Sequence, residues 1–260
     1  MDLGIRGQVA LVTAGSRGLG RAVALELARE GARVALASRN RENAEGSAAE
    51  IAAATGSEVV GWRCDVSQGE EVREWVDRAA EHFHGVDLLV CNAGGPPGGI
   101  LDTLNDDAWQ KAFETNLLSV VRLVRATLPH MKSGGRILTI ASSSVKQPIP
   151  GLILSNTMRA GVAGLMKTLS EELGPRGILV NTLCPGRIAT DRLKELDRQK
   201  AERERRPEAV IQKESLREIP LGRYGEPAEF ARTAVFLLSQ ANTYVTGTSL
   251  MVDGGMVKAL

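Results

Sequence analysis

Short continuous apolar runs alternate along the chain with longer stretches of helical periodicity. Val9-Ala10-Leu11-Val12-Thr13 reads as a strand buried on both faces. Residues 18–31 follow as a helix, with Leu19, Val23, Leu27 and Ala28 on one side and Gly31 as the stop. The alternation then repeats. Strands are predicted at 33–37, 58–64, 86–91, 136–141, 178–183 and 249–252, and helices at 41–55, 68–83, 104–131, 155–173 and 228–238. Asn105 or Asp106 is the cap candidate of the 104–131 helix. The pattern predicts an α/β fold, a parallel sheet with helices on both faces. No fixed-period repeat and no Pro/Ser-rich linker divides the chain, so 1–260 reads as a single domain. Residues 191–218 stand apart, because nearly every second one is charged and both signs mix. They read either as a solvated helical excursion or as a lid-like insertion over a substrate site.

Composition narrows the class. The chain has 260 residues, is 43% hydrophobic and carries a net charge of +1, which excludes a disordered chain. There is no basic footprint for nucleic acid and no polybasic membrane anchor. No apolar run approaches the roughly 20 residues that cross a bilayer, and the first residues lack a signal peptide's basic and apolar regions. Cys64, Cys91 and Cys184 form no CxxC pair, which argues against a disulfide framework or a zinc site. His82, His84 and His130 show no metal-ligand spacing. The expectation is a cytoplasmic protein with buried, reduced thiols and no metal.

Candidate chemistry starts at Thr13-Ala14-Gly15-Ser16-Arg17-Gly18-Leu19-Gly20, between the first strand and the first helix. Glycines let a backbone approach a pyrophosphate, and a helix N-terminus favours its charge. Gly15, Ser16, Arg17, Gly18, Leu19 and Gly20 are therefore candidate dinucleotide contacts, and the sheet is expected to be Rossmann-type and doubly wound. The second strand ends in Ser38-Arg39, with no acid to bind a ribose or repel a 2′-phosphate. Arg39 and Arg17 suit such a phosphate, which favours NADP(H) over NAD(H). The alternative is two solvated surface arginines.

The glycine turn, Asp65-Val66, Cys91-Asn92-Ala93-Gly94, Asn116, Asn181 with Pro185-Gly186, and Val252-Asp253-Gly254-Gly255 follow in order over nearly the whole chain. Together they resemble the short-chain dehydrogenase/reductase family, in its β-ketoacyl-acyl-carrier-protein reductase-like branch. The resemblance implies that Asp65 and Val66 flank the adenine and that Asn92, Ala93 and Gly94 shape the cofactor pocket. It implies that Pro185, Gly186, Ile188 and Thr190 hold the nicotinamide end, and that Asn116 kinks its helix and orders a water. It further implies a homotetramer or homodimer, with the helices from Leu104 and Ser155 packing against their copies. The apolar stripe Leu117, Val121, Val124 and Leu128 serves such an interface or the chain's own core.

The chain departs from that family in two places. Ala14 stands where the first glycine is usual, which fits if its φ is negative. Family members carry a serine, then about thirteen residues later a tyrosine that protonates the carbonyl oxygen, then a lysine four residues on. These positions fall on Ser142, Ser155 and Arg159. Tyr224 and Tyr244 lie far downstream and neither has a lysine four residues later. Serine is shorter than tyrosine and a poor acid, and arginine stays charged. A missing general acid costs about 10²–10⁴-fold in rate. The leading expectation is reduction of a carbonyl by NADPH, with Ser142 on the carbonyl oxygen, a water held by Ser155 and Asn116 as proton source, and Arg159 on the ribose. Lys146 is another candidate proton source, and an exposed lysine is its plainer reading. The loop 94–99 offers N–H groups to an oxyanion or forms a turn-rich pocket wall. Two other classes stay open: a nucleotide-binding regulator without chemistry, and a lyase or isomerase using the same pocket. The expected partner is a small-molecule carbonyl or alcohol, not nucleic acid or a membrane.

Overall fold

The computed structural model describes residues 2–259. Seven parallel strands form one sheet in the order β3-β2-β1-β4-β5-β6-β7. They are β1 (Val9–Val12), β2 (Arg33–Ser38), β3 (Val59–Arg63), β4 (Val86–Cys91), β5 (Met131–Ile140), β6 (Leu179–Pro185) and β7 (Ser249–Val252). Helices α1 (Gly18–Arg29), α2 (Arg41–Thr55) and α9 (Pro227–Leu238) cover one face, and α3 (Gly69–Phe83), α5 (Ser119–Thr127) and α6 (Ile153–Leu173) the other. The strands are apolar on both sides because both sides are covered. In β1, Ala10 and Val12 enter the core with α1, whereas Val9 and Leu11 enter the core with α3. The fold is the predicted doubly wound sheet. β1 and β4 are neighbours, and the chain departs from them in opposite directions, so a crevice opens beyond their carboxyl ends.

Residues 104–131 differ from the single predicted helix. They contain α4 (Asp106–Phe113), a π turn at Glu114–Leu118 and then α5. Asn105 caps α4, accepting from the Ala108 N–H at 3.1 Å. β5 starts five residues before the predicted 136, at Met131, which pairs with Val86. Gly134, at φ +83, lets the chain turn before the pairing resumes at Arg136. The continuous apolar periodicity hid both breaks. In α5 the buried stripe is Val120, Leu123, Val124 and Thr127. Val124 was expected there, while Leu117 and Leu128 only pack against the edge of that core. The charged segment forms α7 (Asp191–Glu204) and α8 (Glu208–Arg217). Among the described residues no helix is long and apolar enough to cross a membrane.

At Gly61 a strand comes very close to its covering helix. A Cβ there would fall 2.1 Å from the Ala44 carbonyl oxygen in α2. Backbone cannot yield as a flexible side chain does, so Gly61→Ala is expected to destabilise by about 1–3 kcal/mol. Thermal unfolding should drop by roughly 2–4 °C per kcal/mol. Gly46→Ala, in open space on the same helix, should not lower it.

Candidate active site

The turn between β1 and α1 is held by Thr13 and Asn92. The Thr13 hydroxyl donates to the Asn92 carbonyl at 2.7 Å and accepts from the Asn92 N–H at 2.9 Å. Gly15 N–H donates to the Ala37 carbonyl. Gly20 lies so close under the turn that a Cβ would sit 2.4 Å from the Ala14 carbonyl oxygen and 2.6 Å from Asn92 Nδ2. Arg17 begins α1 without a side-chain cap, and the first turn holds no acid. The leading N–H groups of α1 are thus left for an external anion. At the end of β2, the Ser16 hydroxyl donates to Ser38 Oγ at 3.0 Å. Arg17 and Arg39 are exposed, and neither enters an ion pair among the described residues. This cradle fits a dinucleotide with a phosphorylated ribose.

Ala14 corrects one expectation. Its φ is +46°, not negative, so a side chain occupies the left-handed region. The Thr13–Asn92 clasp and the packed Gly20 hold it there, at a cost of about 1–2 kcal/mol.

The other candidate contacts line the same sheet edge. Asp65 Oδ1 accepts from the Ser67 N–H at 3.0 Å and its hydroxyl at 2.8 Å, so this acid shapes a turn, with Val66 buried beside it. Ala93 is half-buried and Gly94 exposed. Asn116 lies in the π turn, is 1% exposed, and donates from Nδ2 to the Gly94 carbonyl at 2.8 Å. Its Oδ1 is buried without a protein partner. Pro185 and Gly186 end β6, with the Gly186 N–H bonded to the Val252 carbonyl. Ile188 sends its side chain into the core, and its backbone bridges to Gly225. Thr190 caps α7.

Ser142 follows β5, where its Oγ accepts from the Ser144 N–H at 3.1 Å. Its own hydroxyl hydrogen stays available. Ser143 and Ser144 are buried at 3% and 4%, which singles out half-buried Ser142. Ser155 and Arg159 are one turn apart on α6, and Ser155 is half-buried. Arg159 is 5% exposed and donates from Nη1 to the Ile140 carbonyl at 3.3 Å. Burial lowers its pKa to about 10, so it stays cationic at neutral pH. Beside it, burial raises the Cys184 thiol to about 11 against the pull of the Ser142 main chain, Arg159 and Lys146. Lys146 is exposed. The cysteines are free and buried, as expected.

The sequence reading missed one feature. Asp197, 2% exposed, accepts from Arg187 Nη1 at 2.6 Å and from the Tyr224 hydroxyl at 3.1 Å. Leu193, Asp197 and Ala201 are the buried residues of α7, spaced four apart. One acid on an apolar stripe was the available signal. The same helix reaches the 94–99 loop, where Arg192 Nη2 donates to the Pro96 carbonyl at 2.8 Å.

Replacing Ala14 with glycine removes the left-handed cost and adds the unfolded-state entropy of glycine. The expected net gain is about 0.5–1 kcal/mol, read as a higher midpoint of denaturant unfolding at unchanged slope. An unchanged or lower midpoint would show that the turn carries no such strain.

Comparison with known proteins agrees with this geometry. Residues 13–257 match the model of a family described as Enoyl-(Acyl carrier protein) reductase. A 3-oxoacyl-[acyl-carrier-protein] reductase of Pseudomonas aeruginosa is 38% identical over 257 residues, covering 98% of this chain and 99% of that protein. Dehydrogenase/reductase SDR family member 4 of Homo sapiens is 35% identical, covering 95% of this chain and 87% of that protein. L-Sorbose reductase of Gluconobacter frateurii, solved with NADPH and L-sorbose, superposes with a TM-score of 0.94 at 32% identity, over 100% of both chains. With its glycine turn, its crevice between β1 and β4 and these relatives, the chain belongs to the short-chain dehydrogenase/reductase family.

Proposed function

We propose that the protein is an NADP(H)-dependent oxidoreductase that reduces a carbonyl group, on a 3-oxoacyl-like compound or a small ketone, without a phenolic proton donor. The observation that carries this reading is the placement of Ser142 and Arg159 at the carboxyl end of β5. They lie on the same sheet edge as the uncapped start of α1. Ser155 and Arg159 occupy the positions at which the family's tyrosine and lysine are expected.

The residues divide the work as follows. The 15–20 backbone takes the pyrophosphate, and Ser38, Arg39 and Arg17 take the 2′-phosphate. Asp65 and Val66 border the adenine, and Asn92, Ala93 and Gly94 border the adjoining ribose. The nicotinamide end lies against Pro185, Gly186, Ile188 and Thr190, with Arg159 donating to its ribose hydroxyls. When bound, NADPH supplies the hydride. Ser142 donates its free hydroxyl hydrogen to the carbonyl oxygen, because its lone pair already accepts from Ser144. Ser155 holds a water that delivers the proton. Asn116 is a positioning residue, because its amide is committed to the Gly94 carbonyl. Helices α7 and α8 form a lid that meets the pocket wall at Pro96. The chain assembles as a homotetramer or homodimer. The exposed apolar Phe236, Tyr244, Val245 and Leu250 near α9 and β7 support that assembly.

Two measurements test this reading. Arg39→Glu should weaken NADPH binding by about 10–100-fold, the worth of a charge-assisted hydrogen bond, and leave NADH binding unchanged or tighter. Equal effects on both cofactors would remove the phosphate role. NADPH oxidation against a carbonyl panel that includes β-ketoacyl thioesters should show turnover, and Ser142→Ala should lower it by about 10²–10³-fold. Turnover seen only after combined Ser155→Tyr and Arg159→Lys would mean that the pocket accepts a carbonyl but the protein uses it for other chemistry. Cofactor binding without turnover in either form would favour a nucleotide-binding regulator.

A further inference from the structure

Two arginines lie buried near β5, and they are treated differently. Arg136 is 6% exposed, and its guanidinium is satisfied by chain oxygens: the carbonyls of Gly134, Gly135 at 3.1 Å and Asn242 at 3.1 Å, with Gln240 Oε1 at 3.4 Å. Arg159 is as deeply buried, yet only the Ile140 carbonyl accepts from it, at 3.3 Å. A guanidinium has five N–H donors. None of the Arg159 nitrogens is among the buried side-chain atoms left without a partner. Its remaining donors are therefore not sealed into the core, and the strand end that anchors the guanidinium leads into Ser142.

No carboxylate balances this charge. Among the described residues, neither Arg159 nor Lys146 enters an ion pair. Both cations act electrostatically on the Cys184 thiol, which lies on β6 next to β5. The carboxyl end of β5 thus carries positive charge. A buried charge left unpaired costs several kcal/mol, and a neutral ribose hydroxyl needs no guanidinium fork. A fork fits the two oxygens of a carboxylate, which a lysine meets only as a point charge.

Position fixes where that carboxylate belongs on the substrate. The Arg159 guanidinium bonds to Ile140, two residues before Ser142. The donor for the reacting carbonyl and the fork for the anion are therefore carried by the same strand end. We infer that the substrate is a 2-oxo acid, or the corresponding 2-hydroxy acid, whose carboxylate is bound by Arg159 while Ser142 holds the adjacent oxygen. This rests on the reductase reading for the fate of the carbonyl and not for the binding of the carboxylate. Arg159 becomes a residue that sets specificity as well as one that holds the cofactor. Lys146 at the rim adds long-range attraction for an anion.

The experiment has a kinetic and a binding arm. Straight-chain 2-oxo acids of three to eight carbons are compared with their methyl esters as substrates for NADPH oxidation. The acids should be preferred by on the order of 100-fold in kcat/KM, the worth of a charge-assisted pair. Arg159→Gln should bring the ratio to near one, and Arg159→Lys should keep part of it. A ratio cancels changes in folding and cofactor affinity, which act on both substrates alike. Esters used as well as acids by the unaltered protein, or a ratio unmoved by Arg159→Gln, would overturn the inference. In the binding arm, oxamate is titrated calorimetrically into the protein with NADP+. Binding should be lost in Arg159→Gln and retained in weakened form in Arg159→Lys. If no carbonyl is turned over, the reductase reading fails while Arg159-dependent oxamate binding still upholds the carboxylate site. No oxamate binding to the unaltered protein together with no acid preference overturns it.

Discussion

β1 is hydrogen-bonded to β2 on one side and to β4 on the other, and the chain runs outward from that pair in both directions. This junction fixes the site. Parallel strands end at the same edge, so Gly15, Ser38, Asn92, Ser142 and Pro185 all emerge there although they are far apart in sequence. The reversal also prevents helices from closing over the carboxyl ends of β1 and β4, which leaves the crevice. The exchange between Thr13 and Asn92 ties the two strand ends across it. Everything nearer the reacting centre is built on that clasp: α1 rests on Gly20 beneath it, and Asn116 holds Gly94 two residues beyond it.

Sheet, helices and nucleotide end were legible because they rest on local signals. A strand buried on two faces must be apolar where it is covered, and β1 is so throughout, β2 over Val34–Ala37 and β4 over Leu88–Cys91. Gly15 and Gly20 sit at a strand-to-helix junction packed too closely for a side chain at either position. The π turn was legible only through the resemblance, which implied a kink at Asn116, and not in the hydrophobic pattern. It keeps apolar periodicity through Leu117 and Leu118, and its cause is tertiary: the buried Asn116 amide reaches the Gly94 carbonyl. Ala14 was misjudged for the same reason. A lone alanine favours negative φ, and here the contacts of Thr13 and Gly20 override that preference.

Electrostatics divide the site into two halves that sequence alone could not separate. At the nucleotide end the cations are exposed, so Arg17 and Arg39 act in water and are screened by salt. At the reacting end Arg159 is desolvated, and each interaction it makes is strengthened by the low dielectric around it. Arginine survives burial in charged form because its ordinary pKa is so high. Even pulled down to about 10 it keeps its proton at neutral pH. The Cys184 thiol below it is held neutral, since burial outweighs the cations that favour the thiolate. Among the described residues no carboxylate pairs with the positive charge of Arg159.

Asp197 ties the start of α7 to the rest of the fold. Its carboxylate is buried and satisfied by Arg187 and Tyr224, one from the segment after Gly186 and the other from the residue before Gly225. Removing one partner from a buried ion pair costs about 3–5 kcal/mol, because the remaining charge is left without water or counter-ion. Lifting the first half of α7 away from the crevice would impose that cost, and would also strip Leu193 and Ala201 from their contacts. The far end bears no such penalty. Arg205, in left-handed backbone at φ +51°, breaks the chain between α7 and α8, and the ion pairs beyond it join Arg206 to Glu204 and Glu214 near the surface. The segment is therefore pinned at Asp197 and carries no buried ion pair around residue 205. If α7 and α8 act as the proposed lid, bending at residue 205 would leave the loop from Pro185 to Thr190 in place, because the start of α7 is fixed to it.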